Sequence, residues 1–149
     1  MRIRIASPDD AETLSILVAS LSHFLLEEGS KALPEWFLQM IAVEAFVSRL
    51  QSPEFYHVVC EADSRLVGYI SVKQRHQIYH LFVSDQYQHK GIARRLWSHV
   101  TERYGTSRYV VRSSLYAIPM YKAFGFVETG EVQAKDSIRF QPMEFVTTW

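Results

Sequence analysis

The segment Gln88-His-Lys-Gly-Ile-Ala93 sets one glycine between a stretch of strand character and a stretch of helix character, with Lys90, Arg94 and Arg95 close by. A loop that runs into a helix N-terminus offers unpaired backbone N–H groups and the positive end of the helix dipole, so it can hold an anion such as a phosphate. Gly91 carries no Cβ and would let the backbone approach that anion closely. The loop is neither a Walker A loop nor a dinucleotide fingerprint, because the required glycines and the Gly-Lys-Ser/Thr step are missing. Thirty residues beyond Gly91 stands Tyr121, within Ala117-Ile-Pro-Met-Tyr-Lys-Ala-Phe-Gly-Phe126. A phenol, with an ordinary pKa near 10, is a proton donor, although on pattern alone Tyr121 reads first as an aromatic residue on a short helix. His80 is the side-chain type that accepts a proton near neutrality.

Other chemistry is disfavoured. Cys60 is the only cysteine, which leaves no internal disulfide and no multi-cysteine metal site. Inside an expected strand it reads as a small core hydrophobe. His76 and His80 would lie roughly 13 Å apart on an extended strand, too far to share an ion. His23, His57 and His99 fall in unrelated segments, so no metal is expected. Sixteen basic and sixteen acidic side chains cancel, which argues against a general grip on nucleic acid or on an anionic membrane. The apolar run at Met1–Ala6 is too short for a signal peptide, and no stretch approaches the roughly 20 apolar residues of a membrane-spanning helix. A cytoplasmic protein is the expectation.

The elements that must position these residues fit one domain, since 149 residues with 48% apolar content suffice for a single core. Arg2–Ala6 reads as a first strand. Ser7 then reads as an N-cap with Pro8 at the first helical position, and Leu14, Leu17, Val18, Leu21 and Leu25 form a core-facing stripe. Glu27-Glu28-Gly29 would end that helix. A second helix is expected from Pro34 to about Leu50, apolar on nearly every face between Trp36 and Val47; this leaves open core, homodimer interface, or the wall of an acceptor pocket. Phe55–Ala62 and Leu66–Val72 flank Asp63-Ser64-Arg65 as a hairpin, and Gln77–Val83 extends the meander. A polar loop, Ser84–Lys90, leads to a helix from Gly91 to about Tyr104. Tyr109–Ser113 reads as a strand and Tyr116–Phe124 as a helix closed by a left-handed cap at Gly125. Segments near Val127–Val132 and Ile138–Val146 finish a mixed α/β sheet.

Three segments together resemble the GNAT superfamily of acetyl-coenzyme A-dependent N-acetyltransferases: Leu81-Phe82-Val83, Gln88-x-x-Gly91-x-Ala93, and Tyr121-x-x-x-Gly125-Phe126, in that family's order and spacing. The resemblance is good over roughly residues 66–127, and Ile3–Asp10 is similar to the family's usual start. It implies a mixed α+β fold with a central, mostly antiparallel twisted sheet flanked by about four helices. It implies acetyl-CoA as co-substrate and a primary amine, on a small molecule or a peptide, as acceptor. The backbone of Leu81, Phe82 and Val83 would pair with the pantetheine arm. Gln88, His89, Lys90, Gly91, Ile92, Ala93 and Arg94 would surround the pyrophosphate. Tyr121 would protonate the departing thiolate after direct attack by the amine. Many family members carry Asn seven residues before the Tyr, and here that position is Ser114. The strand Gln77–Val83 also lacks the Glu that many relatives use as base. That leaves His80, a base acting through ordered water, or an amine arriving already neutral. These departures keep a second reading open, a non-catalytic acyl-CoA sensor or assembly module.

Overall fold

The computed structural model describes residues 1–22, 32–105 and 108–146. Strand β1 (Arg2–Ile5) leads into a 3-10 turn at Pro8–Asp10, and helix α1 (Ala11–Leu21) follows. The Asp10 carboxylate accepts the Ser7 backbone N–H (2.8 Å) and is itself held by Arg4 through two contacts of 2.9 Å. Arg4 also donates to Glu61 across the sheet (2.7 Å), so the first strand and the first turn are tied together. Of the α1 stripe, Leu14, Leu17, Val18 and Leu21 are buried; His23, Leu25 and Glu27-Glu28-Gly29 lie outside the described residues.

The helix expected from Pro34 to Leu50 is two helices, α2 (Glu35–Met40) and α3 (Val43–Gln51). Ala42 is extended (φ −65°, ψ 156°), which breaks the ladder. The break explains the all-round apolar pattern, because each half turns a different face inward. Phe37, Ile41 and Phe46 are buried, whereas Leu38 and Val43 are exposed.

Strands β2 (Phe55–Ala62) and β3 (Arg65–Lys73) form the expected hairpin. Its turn is Asp63-Ser64, both at positive φ (53° and 64°), as a tight two-residue connection requires. Strand β4 (Gln77–Val83), helix α4 (Ile92–Tyr104) and strand β5 (Arg108–Ser114) make a crossover. Helix α5 (Ile118–Phe124) then leads into β6 (Val127–Glu128), β7 (Gln133–Lys135) and β8 (Ile138–Val146). The short hairpin of β7 with β8 was not expected. The sheet order is β1-β2-β3-β4-β5-β8-β6, with β7 also on β8. Each pairing is antiparallel except β4 with β5, as a helical crossover dictates. Mixed α+β with a mostly antiparallel sheet is thus the observed class, with five α-helices among the described residues.

Two apolar clusters sit on opposite faces of this sheet. One joins α4 and α5 to Val58, Ile70, Ile78 and Val111. The other joins α1, α2 and α3 to Val59, Tyr69 and Ile138. Trp97 of α4 binds the first cluster together: its ring lies 4.8 Å from Tyr109, 5.3 Å from Phe126, 5.6 Å from Phe145 and 6.0 Å from Phe124. Through those contacts α4, α5 and β8 hold one position relative to each other.

Candidate active site

Strands β4 and β5 pair only at Gln77–Val110 and Ile78–Val111. Beyond that point they part, and the cause is local. Val72 faces Ile78 across β3–β4, but Ser71 faces His80, so Tyr79 is an extra residue on β4. Such a bulge bends its strand and reverses the phase of side chains that follow it. Ile78 packs in the α4 cluster and His80 against Phe46, on the other face, although they are two residues apart. Leu81 and Val83 then return to the α4 face, and Phe82 to the α1 face. The Ser84 N–H bonds the Val67 carbonyl (2.8 Å) on the β3 side. Strand alternation therefore turns the N–H groups of Leu81 and Val83 to the open, β5 side.

A cavity of about 560 Å³ opens along this gap. Its walls are Leu81, Phe82 and Val83, the loop residues Gln88, His89 and Gly91, the first turn of α4, and α5. Gly91 caps α4 in the left-handed region (φ 81°), and His89 shares that region at φ 63°. For a residue with a Cβ this conformation costs about 1–2 kcal/mol, so the loop shape is imposed by its surroundings. Alternating left-handed residues curl the backbone into a concavity lined by N–H groups. The N–H of Arg95 is the first to find its helical partner, the Gly91 carbonyl (3.1 Å). Those of Ile92, Ala93 and Arg94 precede it in the helix and have no intrahelical acceptor. The first turn carries no acidic side chain, and a Cβ on Gly91 would meet nothing within 4 Å. The concavity is thus open, electropositive and shaped for an anion.

Neighbouring side chains brace the loop. Gln88 donates to the Val83 carbonyl (3.0 Å) and accepts the Tyr116 hydroxyl (2.8 Å), which links loop, strand and the start of α5. Arg94 donates to the Ala123 carbonyl (3.0 Å) and lies over the Phe124 ring, so it clamps α4 to α5. The Lys90 ammonium rests 5.2 Å over Tyr87.

A second cavity, about 530 Å³, lies on the α1 side between α2, β4, β5 and the β7–β8 hairpin. The two cavities share Leu81, Phe82, Ser114 and Ala117, where the strands part. Tyr121 lines the second, buried at 4% exposure, with its ring 5.3 Å from Phe126. Burial pushes its phenol above the ordinary value, which keeps it protonated. The Ser114 hydroxyl accepts the Ala117 N–H (3.1 Å) at the entry to α5, a bond that fixes the turn before Tyr121. Gly125 closes α5 in the left-handed conformation, and Phe126 N–H returns to the Tyr121 carbonyl (3.0 Å). Of the expected residues, Gln88, His89, Gly91, Ile92, Ala93 and Arg94 line the first cavity, Tyr121 and His80 the second, and Leu81, Phe82 and Ser114 both, while Val83 lines the first and Lys90 neither.

His80 stands in a special place. It is 5% exposed, surrounded by the rings of Phe46, Tyr69, Tyr79 and Phe82, and its Nε2 has no protein partner. Desolvation, with smaller contributions from Arg49 and His57, pushes its pKa down to about 3, so the imidazole is neutral. Beside it, His57 faces the Arg49 carbonyl through Nε2 (3.0 Å), which requires that nitrogen to donate, and its Nδ1 accepts the Tyr69 hydroxyl (2.7 Å).

Several wall residues escaped the sequence reading. Arg112, Lys135 and Phe140 line the second cavity, and Tyr116 and Met120 the first. No local signal marks them: the β7–β8 hairpin brings Lys135 and Phe140 there, β5 carries Arg112, and Tyr116 and Met120 stand before and within α5. Gly68 also went unread, although a glycine inside an apolar strand signals close approach. Its Cβ would stand 2.9 Å from Ile92 and 3.2 Å from Leu96, so it seats α4 on β3. Among the described residues no group of three or more His, Cys, Asp or Glu could hold a metal ion, and no helix is long and apolar enough to cross a membrane.

A parallel strand pair splayed at a bulge, with an amide-lined helix N-terminus at one side of the gap, forms a cleft that can take a phosphate-bearing ligand. The family described as "Acetyltransferase (GNAT) domain" matches residues 24–147, and the chain belongs to it. It is an acyltransferase. No curated protein matches the sequence significantly. Among solved structures, a GCN5-related N-acetyltransferase from Rhodopseudomonas palustris superposes with TM-score 0.76 at 16% identity, over 98% of this chain and 95% of that one. The PaiA N-acetyltransferase from Thermoplasma acidophilum, in complex with coenzyme A, gives 0.71 at 22% identity over 99% and 100%. A ribosomal-protein-alanine N-acetyltransferase from Brucella melitensis gives 0.71 at 17% identity over the same shares. These likenesses show the fold.

Proposed function

We propose that the protein moves the acetyl group of acetyl-CoA to a primary amine by direct attack, with Tyr121 as general acid toward the coenzyme thiolate. The observation that carries this reading is the pair of cavities meeting at Leu81, Phe82, Ser114 and Ala117, one under the amide-lined N-terminus of α4 and the other holding Tyr121. The pyrophosphate would sit on the concavity from His89 to Arg94, and the pantetheine arm would add to the open edge of β4 at Leu81 and Val83. The thioester would then reach the shared junction, where the amine arrives from the second cavity. Solved relatives in complex with coenzyme A support the carrier.

A thiolate forming in that gap is disfavoured by the same desolvation that holds Tyr121 protonated, which narrows the difference between donor and acceptor. Tyr121→Phe should lower turnover by about 10²-fold while coenzyme affinity stays nearly unchanged. Unaltered turnover would remove Tyr121 from the mechanism.

His80 faces the acceptor cavity, but a neutral imidazole with so low a pKa holds a proton only in passing. We therefore assign it a hydrogen bond to the incoming amine, which reacts from its neutral form. The acid limb of the kcat/KM profile should then move with the pKa of the amine offered. A limb fixed near pH 6.5 for every acceptor, and lost in His80→Gln, would make His80 the base instead.

Titration calorimetry tests the whole assignment. Acetyl-CoA should bind the wild-type protein saturably and fail to bind Gly91→Glu, whose carboxylate would occupy the anion concavity. Equal binding by the two proteins would move the pyrophosphate elsewhere.

A further inference from the structure

The second cavity has a one-sided charge. Arg112, Lys135 and Arg139 line it, and no carboxylate does. Among the described residues none of these three takes part in an ion pair, whereas Arg108, four positions along the same strand as Arg112, is held by Glu144 at 2.7 Å. Asp136, on the neighbouring turn, accepts the Trp36 indole N–H (2.7 Å) and is not part of the lining.

The rest of the wall is mostly apolar and aromatic, with Trp36, Phe37, Met40, Tyr79, Phe82 and Phe140, and its other polar groups (Gln77, His80, Ser113, Ser114 and Gln133) carry no negative charge. Aromatic faces attract cations, but two of these rings already carry the protein's own. The Lys135 ammonium lies 4.3 Å over Trp36, and the Arg112 guanidinium 5.7 Å over Phe140. A cationic acceptor would meet uncompensated positive charge and occupied rings, and like charges placed together in a cleft suppress binding. An acceptor that brings a negative group would neutralise that charge.

We infer that the acceptor is a free α-amino acid with an apolar or aromatic side chain, its carboxylate held toward Arg112 and Lys135, its amine at the Leu81–Ser114 junction and its side chain among the aromatic walls. The inference rests on the acetyl-transfer reading and names the substrate class for it. Arg112 lies just beyond Val111, the last position of β5 paired with β4, so the charge stands beside the opening between those strands. Polyamines and aminoglycosides are poor candidates on the same grounds.

Thiol release from acetyl-CoA, measured with five acceptors, tests this. L-phenylalanine should exceed phenethylamine in kcat/KM by about tenfold or more, the lower range of electrostatic focusing in a charged cleft. L-phenylalaninamide should follow phenethylamine, and spermidine and kanamycin should be weakest. The double variant R112E/K135E, at two exposed positions, should melt near the wild-type temperature yet lose the preference for the carboxylate. Equal or faster turnover of phenethylamine or spermidine by the wild type would overturn the inference and leave acetyl transfer standing. If no acceptor releases thiol, acetyl transfer fails, and tryptophan fluorescence decides the site separately, measured in a protein whose Trp97 and Trp149 are replaced by Phe so that Trp36 alone reports. N-acetyl-L-phenylalanine should quench it at lower concentration than N-acetylphenethylamine does, and the double variant should abolish the difference. No difference in the wild type would overturn the inference.

Discussion

A buried imidazole couples this site to pH. His80 has a folded pKa of about 3 against an ordinary 6.5, because burial penalises its charged form, and His57 is lowered for the same first reason. Below pH 6.5 the unfolded chain therefore binds protons that the folded chain refuses. The stabilisation is complete above about 6.5 and is lost as the pH falls toward 3, with a slope of up to about 1.4 kcal/mol per pH unit for each proton. The Asp10 carboxylate, lowered chiefly by its hydrogen bond from Arg4, adds a further acid loss only below the ordinary carboxylate range. Urea unfolding between pH 4.5 and 6.5 isolates the histidines. Stability should fall with acid across that window, and His80→Gln should flatten the dependence by close to one proton. An unchanged slope in the variant would show that His80 titrates normally in the folded protein.

At the scale of elements, the site depends on where α4 sits, and Gly68 sets that position. Its Cβ would press on Ile92 Cγ2 at 2.9 Å, a branched atom in the first turn of α4 that cannot swing away as a side-chain tip would. Gly68→Ala should cost about 1–3 kcal/mol by overpacking, read from the urea midpoint. It should also weaken acetyl-CoA binding, because the displaced first turn carries the amides of Ile92 and Ala93. Unchanged stability and affinity together would mean that α4 tolerates the shift. Much of this scale was legible from the sequence. The loop at Gly91, the left-handed cap at Gly125 and the strand at Leu81–Val83 follow from local chemistry, namely missing Cβ atoms, helix termini and apolar runs. The break at Ala42, the bulge at Tyr79 and the β7–β8 hairpin were not legible, because tertiary packing decides each of them. That is why His80 was readable as a residue type but not as a neutral, buried one. It is also why Arg112 and Lys135, brought to one cavity by β5 and that hairpin, carried no signal in the chain.

For the whole molecule, β4 is the shared part. Ile78 belongs to the cluster under α4, and Phe82 packs against the cluster under α1, so one strand contributes to both cores. We propose that the chain is a single domain and unfolds as one unit, in which far-ultraviolet dichroism and tryptophan fluorescence report the same midpoint. Trp36 and Trp97 report from opposite sides of the sheet, so two separated transitions would argue for two units. Coenzyme binding should then stabilise the entire fold, since the cavity exists only when β4, α4 and α5 are all in place. At 100 times its dissociation constant a ligand adds about 2.7 kcal/mol, which for a chain of 149 residues corresponds to a rise of roughly 5–10 °C in melting temperature. Acetyl-CoA should produce that rise in the wild type and in Tyr121→Phe, but not in Gly91→Glu, because the phenol serves the chemistry and the glycine serves the anion. A rise that survives in Gly91→Glu would locate the coenzyme away from the α4 N-terminus, and a rise lost in Tyr121→Phe would give the phenol a part in binding.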